Sequence, residues 1–93
     1  MPFRQTDSAQ DLGDTIRAVR VAAGLRQADA AQLCGVSIPF LNELERGKAT
    51  ARLDGVLKVC RGLGIVIRLV PPERLPADAP RSLKRGRKPG AGS

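Results

Sequence analysis

The chain has 93 residues, 16 Lys+Arg against 9 Asp+Glu, a net charge of +7 and a sequence pI near 10.8. That length holds one small domain, of the kind that often leans on a partner subunit for stability. There is no His, which excludes imidazole acid–base catalysis, Ser-His-Asp or Cys-His nucleophiles and His-ligated metals. Cys34 and Cys60 lie far apart in apolar surroundings. They read as small buried hydrophobes rather than as a zinc site, so no metal is expected. No secretory signal and no apolar run of membrane-spanning length is read, so a reducing cytoplasmic setting without membrane contact is expected. Asp7, Asp11, Asp14, Asp29 and Asp54 fall at helix starts or on polar faces. With no Gly-rich phosphate loop and no activated nucleophile beside them, neither an enzyme nor a cofactor is expected. A small basic binding module remains.

In chain order, residues 1–9 read as a flexible arm with Phe3 as its large apolar group. Ser8 or Asp11 caps a first helix, whose stripe is Leu12, Ile16, Val19 and Ala23, with Arg17 and Arg20 off it. Gly24 ends that helix and Leu25 anchors the connection. A second, short helix runs from about Gln27 to Cys34, and its small residues Ala28, Ala30 and Ala31 permit close approach of another helix. Gly35 stops it and Val36 fills the turn. Ser37 caps a third helix, which tolerates Pro39 in its first turn, points Leu41 and Leu44 at the core and ends at Gly47. A loop with Lys48, Thr50 and Arg52 leads to a fourth helix. Its expected apolar face is Leu53, Val56, Leu57, Cys60 and Leu63, with Asp54 as a cap in the first turn and Gly62 and Gly64 closing it.

The period then changes. Residues 65–70, Ile-Val-Ile-Arg-Leu-Val, read as one β-strand between Gly64 and Pro71. A lone strand exposes a row of unpaired N–H and C=O groups, and no second strand follows. The economical solution is antiparallel pairing with the same strand of a second copy, through Ile65, Ile67 and Leu69. A homodimer is therefore expected, with a folded domain over residues 10–71. Residues 72–93 carry 6 Lys+Arg against 2 Asp+Glu and are rich in Pro, Gly, Ser and Ala, which predicts a disordered basic tail. Its cluster of Lys84, Arg85, Arg87 and Lys88 is either a solubilising segment or a non-specific DNA-binding arm.

Two short helices joined by a Gly turn, the first rich in small residues and the second N-capped, describe a helix-turn-helix. Residues 27–46 resemble the lambda-repressor/Xre-type family. Gln27 opens the first helix of the pair, Ala31 holds the crossing position, Gly35 the turn, and Leu41 and Leu44 the buried positions of the second helix. Leu25-Arg26-Gln27, Gly35-Val36-Ser37 and residues 44–48 complete the signature, and the resemblance spans residues 11–63. Residues 52–70 resemble the HipB-like antitoxin branch, in which a short strand after the last helix pairs between protomers. The resemblance implies an all-α, four-helix lambda-repressor-like fold plus that one strand. It also implies an antitoxin that represses its own operon and binds a HipA-like Ser/Thr kinase toxin.

In this geometry the recognition helix offers its N-terminal residues to base edges in the major groove. Those are Ser37, Ile38, Pro39 and, one turn on, Asn42. Asn42 is either a bridge to adenine N6/N7 or a solvated helix-face residue. Ser37 is either a base or phosphate contact or purely a cap, and Ile38 or Pro39 can press on a thymine methyl. Phosphate contacts are expected from Arg26, Gln27, Arg46, Lys48 and Arg52. Arg26 stands where the family usually has a capping Thr. Glu45 is expected to be structural, paired with an Arg, and Glu43 must face away from phosphates. The leading function is a homodimeric, nucleoid-associated operator-binding repressor and antitoxin. A stand-alone regulator without a toxin and a sequence-indifferent nucleoid protein are the alternatives.

Overall fold

The computed structural model describes residues 4–73. Among them are four helices: α1 (Ala9–Ala22), α2 (Gln27–Cys34), α3 (Ile38–Glu45) and α4 (Leu53–Leu63). Two begin on serine caps. Ser8 Oγ accepts from the Asp11 N–H at 3.1 Å, and Ser37 Oγ accepts from the Phe40 N–H at 3.1 Å. Each satisfies a donor that the helix itself leaves unpaired. Pro39 sits in the first turn of α3, where a missing N–H costs nothing. Arg26 and Arg52 hold the cap positions of α2 and α4 without a side-chain cap bond. Asp54 lies inside the first turn of α4, where its Oδ1 accepts from the Gly55 N–H at 2.8 Å.

All four helices end in the same way. A glycine with φ between 75° and 87° (Gly24, Gly35, Gly47, Gly64) follows the last turn. The next residue then donates its N–H back to a helix carbonyl: Leu25 to Arg20 at 3.1 Å, Val36 to Ala31 at 3.0 Å, Lys48 to Glu43 at 3.1 Å and Ile65 to Cys60 at 2.7 Å. This left-handed closure normally carries an apolar contact at the residue after the glycine. Leu25, Val36 and Ile65 do pack on the core. After α3 the position is Lys48, and its Nζ instead meets Glu43 Oε1 at 3.0 Å. The recognition-type helix thus closes on an ion pair where the other three close on the core.

α2 packs chiefly on α4, and α1 on α3. Ile16, Leu41 and Val59 are the largest fully buried side chains, joined by Ala30, Ala31, Cys34, Leu44, Val56 and Cys60. Gly13 lets α1 cross close to the end of α3. A Cβ there would collide with the Leu44 carbonyl oxygen and lie 2.9 Å from that of Glu45.

Four residues lie otherwise than expected. Arg20, expected off the apolar stripe, is buried at 9% exposure, whereas Ala23 is exposed. Leu53 and Leu57, expected in the core, are 69% and 42% exposed. Their place is taken by Val59, because α4 turns the face carrying Val56, Val59 and Cys60 inward. No helix among the described residues is long and apolar enough to cross a membrane. Residues 65–70 are neither helical nor in a ladder within the single chain. Ile65 packs against the core, while Ile67 and Leu69 are exposed. Phe3 and the tail cluster Lys84, Arg85, Arg87 and Lys88 lie outside the described residues.

Candidate nucleic-acid interface

The buried side of α3 carries Leu41, Leu44 and Glu45. A helix with that side inward must present Ile38, Pro39, Asn42, Glu43 and Arg46 on the other. Ile38, Pro39, Glu43 and Arg46 are indeed exposed and Asn42 is half-buried. Ile38, Asn42 and Arg46 recur every four residues and form one row along that face. Ser37 precedes the row with its hydroxyl engaged as the cap. A shallow cleft of about 150 Å³ beside the row is lined by Phe40, Glu43, Lys48, Thr50, Ala51 and Arg52. That is smaller than the usual small-molecule site.

The candidate phosphate residues fall into three situations. Arg46 is exposed and makes no ion pair among the described residues. Arg26, Lys48 and Arg52 are exposed and each pairs with a carboxylate: Arg26 with Asp29 at 3.3 Å, Lys48 with Glu43 at 3.0 Å, and Arg52 with Asp54 at 3.0 Å. Such pairs are held weakly in water, so a competing phosphate can exchange for the carboxylate. Glu43 lies on the exposed face with its charge compensated by Lys48.

Gln27 is in the third situation, because it belongs to a connected network. Arg20 Nε donates to Glu45 Oε2 at 2.6 Å, and Arg20 Nη2 donates to Glu45 Oε1 at 2.9 Å. Arg20 Nη1 donates to the Leu25 carbonyl at 2.8 Å. Gln27 Nε2 donates to the same Glu45 Oε1 at 3.1 Å, and Gln27 Oε1 accepts from Asn42 Nδ2 at 3.3 Å. The Arg20 guanidinium is held above its ordinary pKa, chiefly by its hydrogen bond to Glu45 and against the cost of burial. It is a permanent cation, and the forked geometry with Glu45 is the strong form of this pair. Burial raises the Cys34 thiol, and raises Cys60 with a further push from Cys34. Both thiols are free and enclosed, and Cys34 Sγ donates to the Val59 carbonyl at 3.6 Å.

Glu45 is paired with an Arg as expected, and the structure identifies it as Arg20. The sequence reading missed Arg20 itself. A signal was present, since Arg20 follows Ile16 by four residues as Glu45 follows Leu41. The spacing agrees with burial of both charges but does not by itself mark it, since Lys48 follows buried Leu44 by four residues and is exposed.

Residues 11–70 match the helix-turn-helix domain family. An uncharacterized HTH-type transcriptional regulator of Sinorhizobium fredii, y4mF, is 40% identical over 62 residues, which is 67% of this chain and 82% of that protein. Among solved structures, a variant of HipB in an O2 20mer complex superposes with a TM-score of 0.69 at 21% identity, covering 75% of this chain and 97% of that one. A HipA-HipB-O2-O3 complex gives a TM-score of 0.68 at 20% identity, covering 74% and 97%. At such identities the likeness concerns the fold. The chain belongs to the helix-turn-helix family of transcriptional regulators and shares the fold of HipB.

Proposed function

We propose that the protein is a sequence-specific DNA-binding repressor that acts as a homodimer, and that it is the HipB-like antitoxin of a HipA-like Ser/Thr kinase toxin. The observation that carries the DNA reading is the outward row of Ile38, half-buried Asn42 and, at the C-cap, Arg46 along α3, which starts at a capped helix N-terminus. In this reading Ser37, Ile38, Pro39 and Asn42 meet base edges. Arg26, Gln27, Arg46, Lys48 and Arg52 meet phosphates, and the tail adds non-specific affinity.

Homodimerisation is supported by exposed apolar side chains next to an unpaired segment. Ile67, Leu69, Leu53 and Leu57 are all open to solvent in the single chain. Pairing residues 65–70 with their copy would satisfy the backbone and cover part of this surface. The toxin partner is supported by the HipB fold alone, since one similar structure is a HipA-HipB complex. The regulator y4mF, whose name mentions no toxin, favours a second reading in which the dimer represses without a kinase partner.

The test is a titration of the full chain against the DNA upstream of its own gene and a scrambled duplex, at two salt concentrations. The repressor reading expects a strong preference for the upstream DNA at physiological salt. Equal binding to both, collapsing as salt rises, would mean that a basic surface rather than the row on α3 dominates. Co-purification of a kinase-like chain separates the antitoxin from the stand-alone regulator.

A further inference from the structure

The network that begins at Arg20 has a direction. An ionised carboxylate can only accept hydrogen bonds, and Glu45 faces a permanent guanidinium at 2.6 and 2.9 Å. Whatever side chain meets the free lone pairs of Glu45 must therefore offer a donor. Gln27 does so through Nε2 at 3.1 Å. Because an amide has one oxygen and one nitrogen, this turns Gln27 Oε1 the other way. That oxygen in turn requires a donor, which Asn42 supplies from Nδ2 at 3.3 Å. Ambiguity between oxygen and nitrogen, which normally attends Asn and Gln, is removed at both amides by the single acceptor-only group.

The consequence reaches the exposed row on α3. With one Nδ2 hydrogen committed to Gln27, Asn42 keeps its second Nδ2 hydrogen and its Oδ1. No buried side-chain oxygen or nitrogen lacks a partner among the described residues, so Oδ1 of the half-buried Asn42, which bonds nothing among those residues, is not fully enclosed. One donor and one acceptor side by side complement adenine, which shows the N7 acceptor and the N6 donor in the major groove. They mismatch guanine, which shows two acceptors, N7 and O6.

We infer that Glu45 and Gln27 are positioning residues that hold the Asn42 amide in one orientation, so that Asn42 discriminates adenine from guanine at one position of the bound DNA. This rests on the DNA-binding reading of α3 proposed above. Arg20 acts at the far end, fixing Glu45 while also donating to the Leu25 carbonyl at 2.8 Å. Discrimination at the surface is thereby tied to an ion pair in the core.

The experiment is selection from a pool of randomised duplexes by the full-length wild type, Gln27→Met, Asn42→Ala and the double variant. Side-chain amide NMR of the free wild type and Gln27→Met accompanies it. Gln27→Met keeps the length of the side chain and removes both the amide oxygen and the amide nitrogen. The wild type is expected to select adenine over guanine about tenfold at one position. Either single variant should reduce that ratio to within about twofold of unity, and the double variant should go no further. In the free protein the Asn42 amide protons should be ordered in the wild type and mobile in Gln27→Met, with the backbone spectrum otherwise retained.

A selected site whose adenine preference disappears in Asn42→Ala but survives in Gln27→Met overturns the positioning role alone. An Asn42 amide equally mobile in both proteins overturns it without reference to DNA. A wild type that selects no sequence at all overturns the repressor reading and this inference together.

Discussion

Arg20 and Glu45 meet through two parallel hydrogen bonds of 2.6 and 2.9 Å, although 25 positions separate them in the chain. The pair joins the middle of the core to both helices of the helix-turn-helix, because Glu45 ends α3 and accepts from Gln27 at the start of α2. Removing one partner leaves the other as a buried, uncompensated charge. Glu45→Ala and Arg20→Ala are each expected to lower unfolding stability by about 3–5 kcal/mol. Urea denaturation checks this, and a loss below about 1 kcal/mol would mean that water already reaches the pair. Replacing both residues together, as Arg20→Met with Glu45→Leu, should cost less than either single change.

Gly13 is expected to resist even the smallest substitution. A Cβ there meets the carbonyl oxygens of Leu44 and Glu45, and backbone cannot swing aside as a side chain can. Gly13→Ala should destabilise by about 1–3 kcal/mol despite the better helix propensity of alanine. Thermal unfolding decides between the two effects: a raised melting temperature would show that α1 can slide along α3 at little cost.

The thiols make a prediction about pH. Burial holds Cys34 and Cys60 above the ordinary thiol value, since a thiolate in the core loses its hydration. Below the unfolded pKa of about 8.5 both states keep their protons and the thiols leave stability unchanged. Above it the unfolded chain releases protons that the folded chain retains, so stability falls with rising pH. The urea midpoint should drop as pH rises above about 8.5, and more shallowly in the Cys34→Ala/Cys60→Ala double variant. An aromatic disulfide reagent should label native thiols only as fast as the domain opens; rapid labelling of the folded protein would contradict their enclosure.

Proline at the centre of residues 65–70 tests the dimer. Ile67→Pro removes an N–H from the proposed ladder and places a ring at its middle. Sedimentation should show monomers, with the helical content of α1 to α4 retained. A dimer of undiminished strength would assign self-association to another surface, with exposed Leu53 and Leu57 the first to examine.

Much of this architecture was legible in the residues. Ser8 and Ser37 cap helices because each is followed by a run with helical apolar spacing, and Gly24, Gly35, Gly47 and Gly64 stop helices because only glycine enters the left-handed region freely. Leu41 and Leu44 were assignable to the core for the same local reason. What escaped was set by packing between helices. α4 has apolar side chains on adjoining stripes, and its own periodicity does not say which stripe faces α2, so Val59 was overlooked and Leu57 preferred. Arg20 escaped because a charged residue reads as solvated until its partner is known, and that partner lies on another helix. The network from Glu45 through Gln27 to Asn42 was hidden in the same way. With Arg20 its four members come from three helices, and all but Glu45 resemble ordinary surface residues when taken alone.

The ion pairs of Arg26 with Asp29, Lys48 with Glu43 and Arg52 with Asp54 have a consequence for range. A bare cation attracts a polyanion across a Debye length, about 8 Å at physiological salt. A cation with a carboxylate roughly 3 Å away is a small dipole, whose field has largely faded by that distance. Of the candidate phosphate residues, Arg46 is the arginine or lysine that meets no carboxylate among the described residues. The part of the surface that carries these three pairs is therefore nearly silent at a distance and acts in contact, where a phosphate can displace each carboxylate from its cation. Such a surface gains little from a polyanion of arbitrary shape and most from one whose phosphates arrive together at the right spacing.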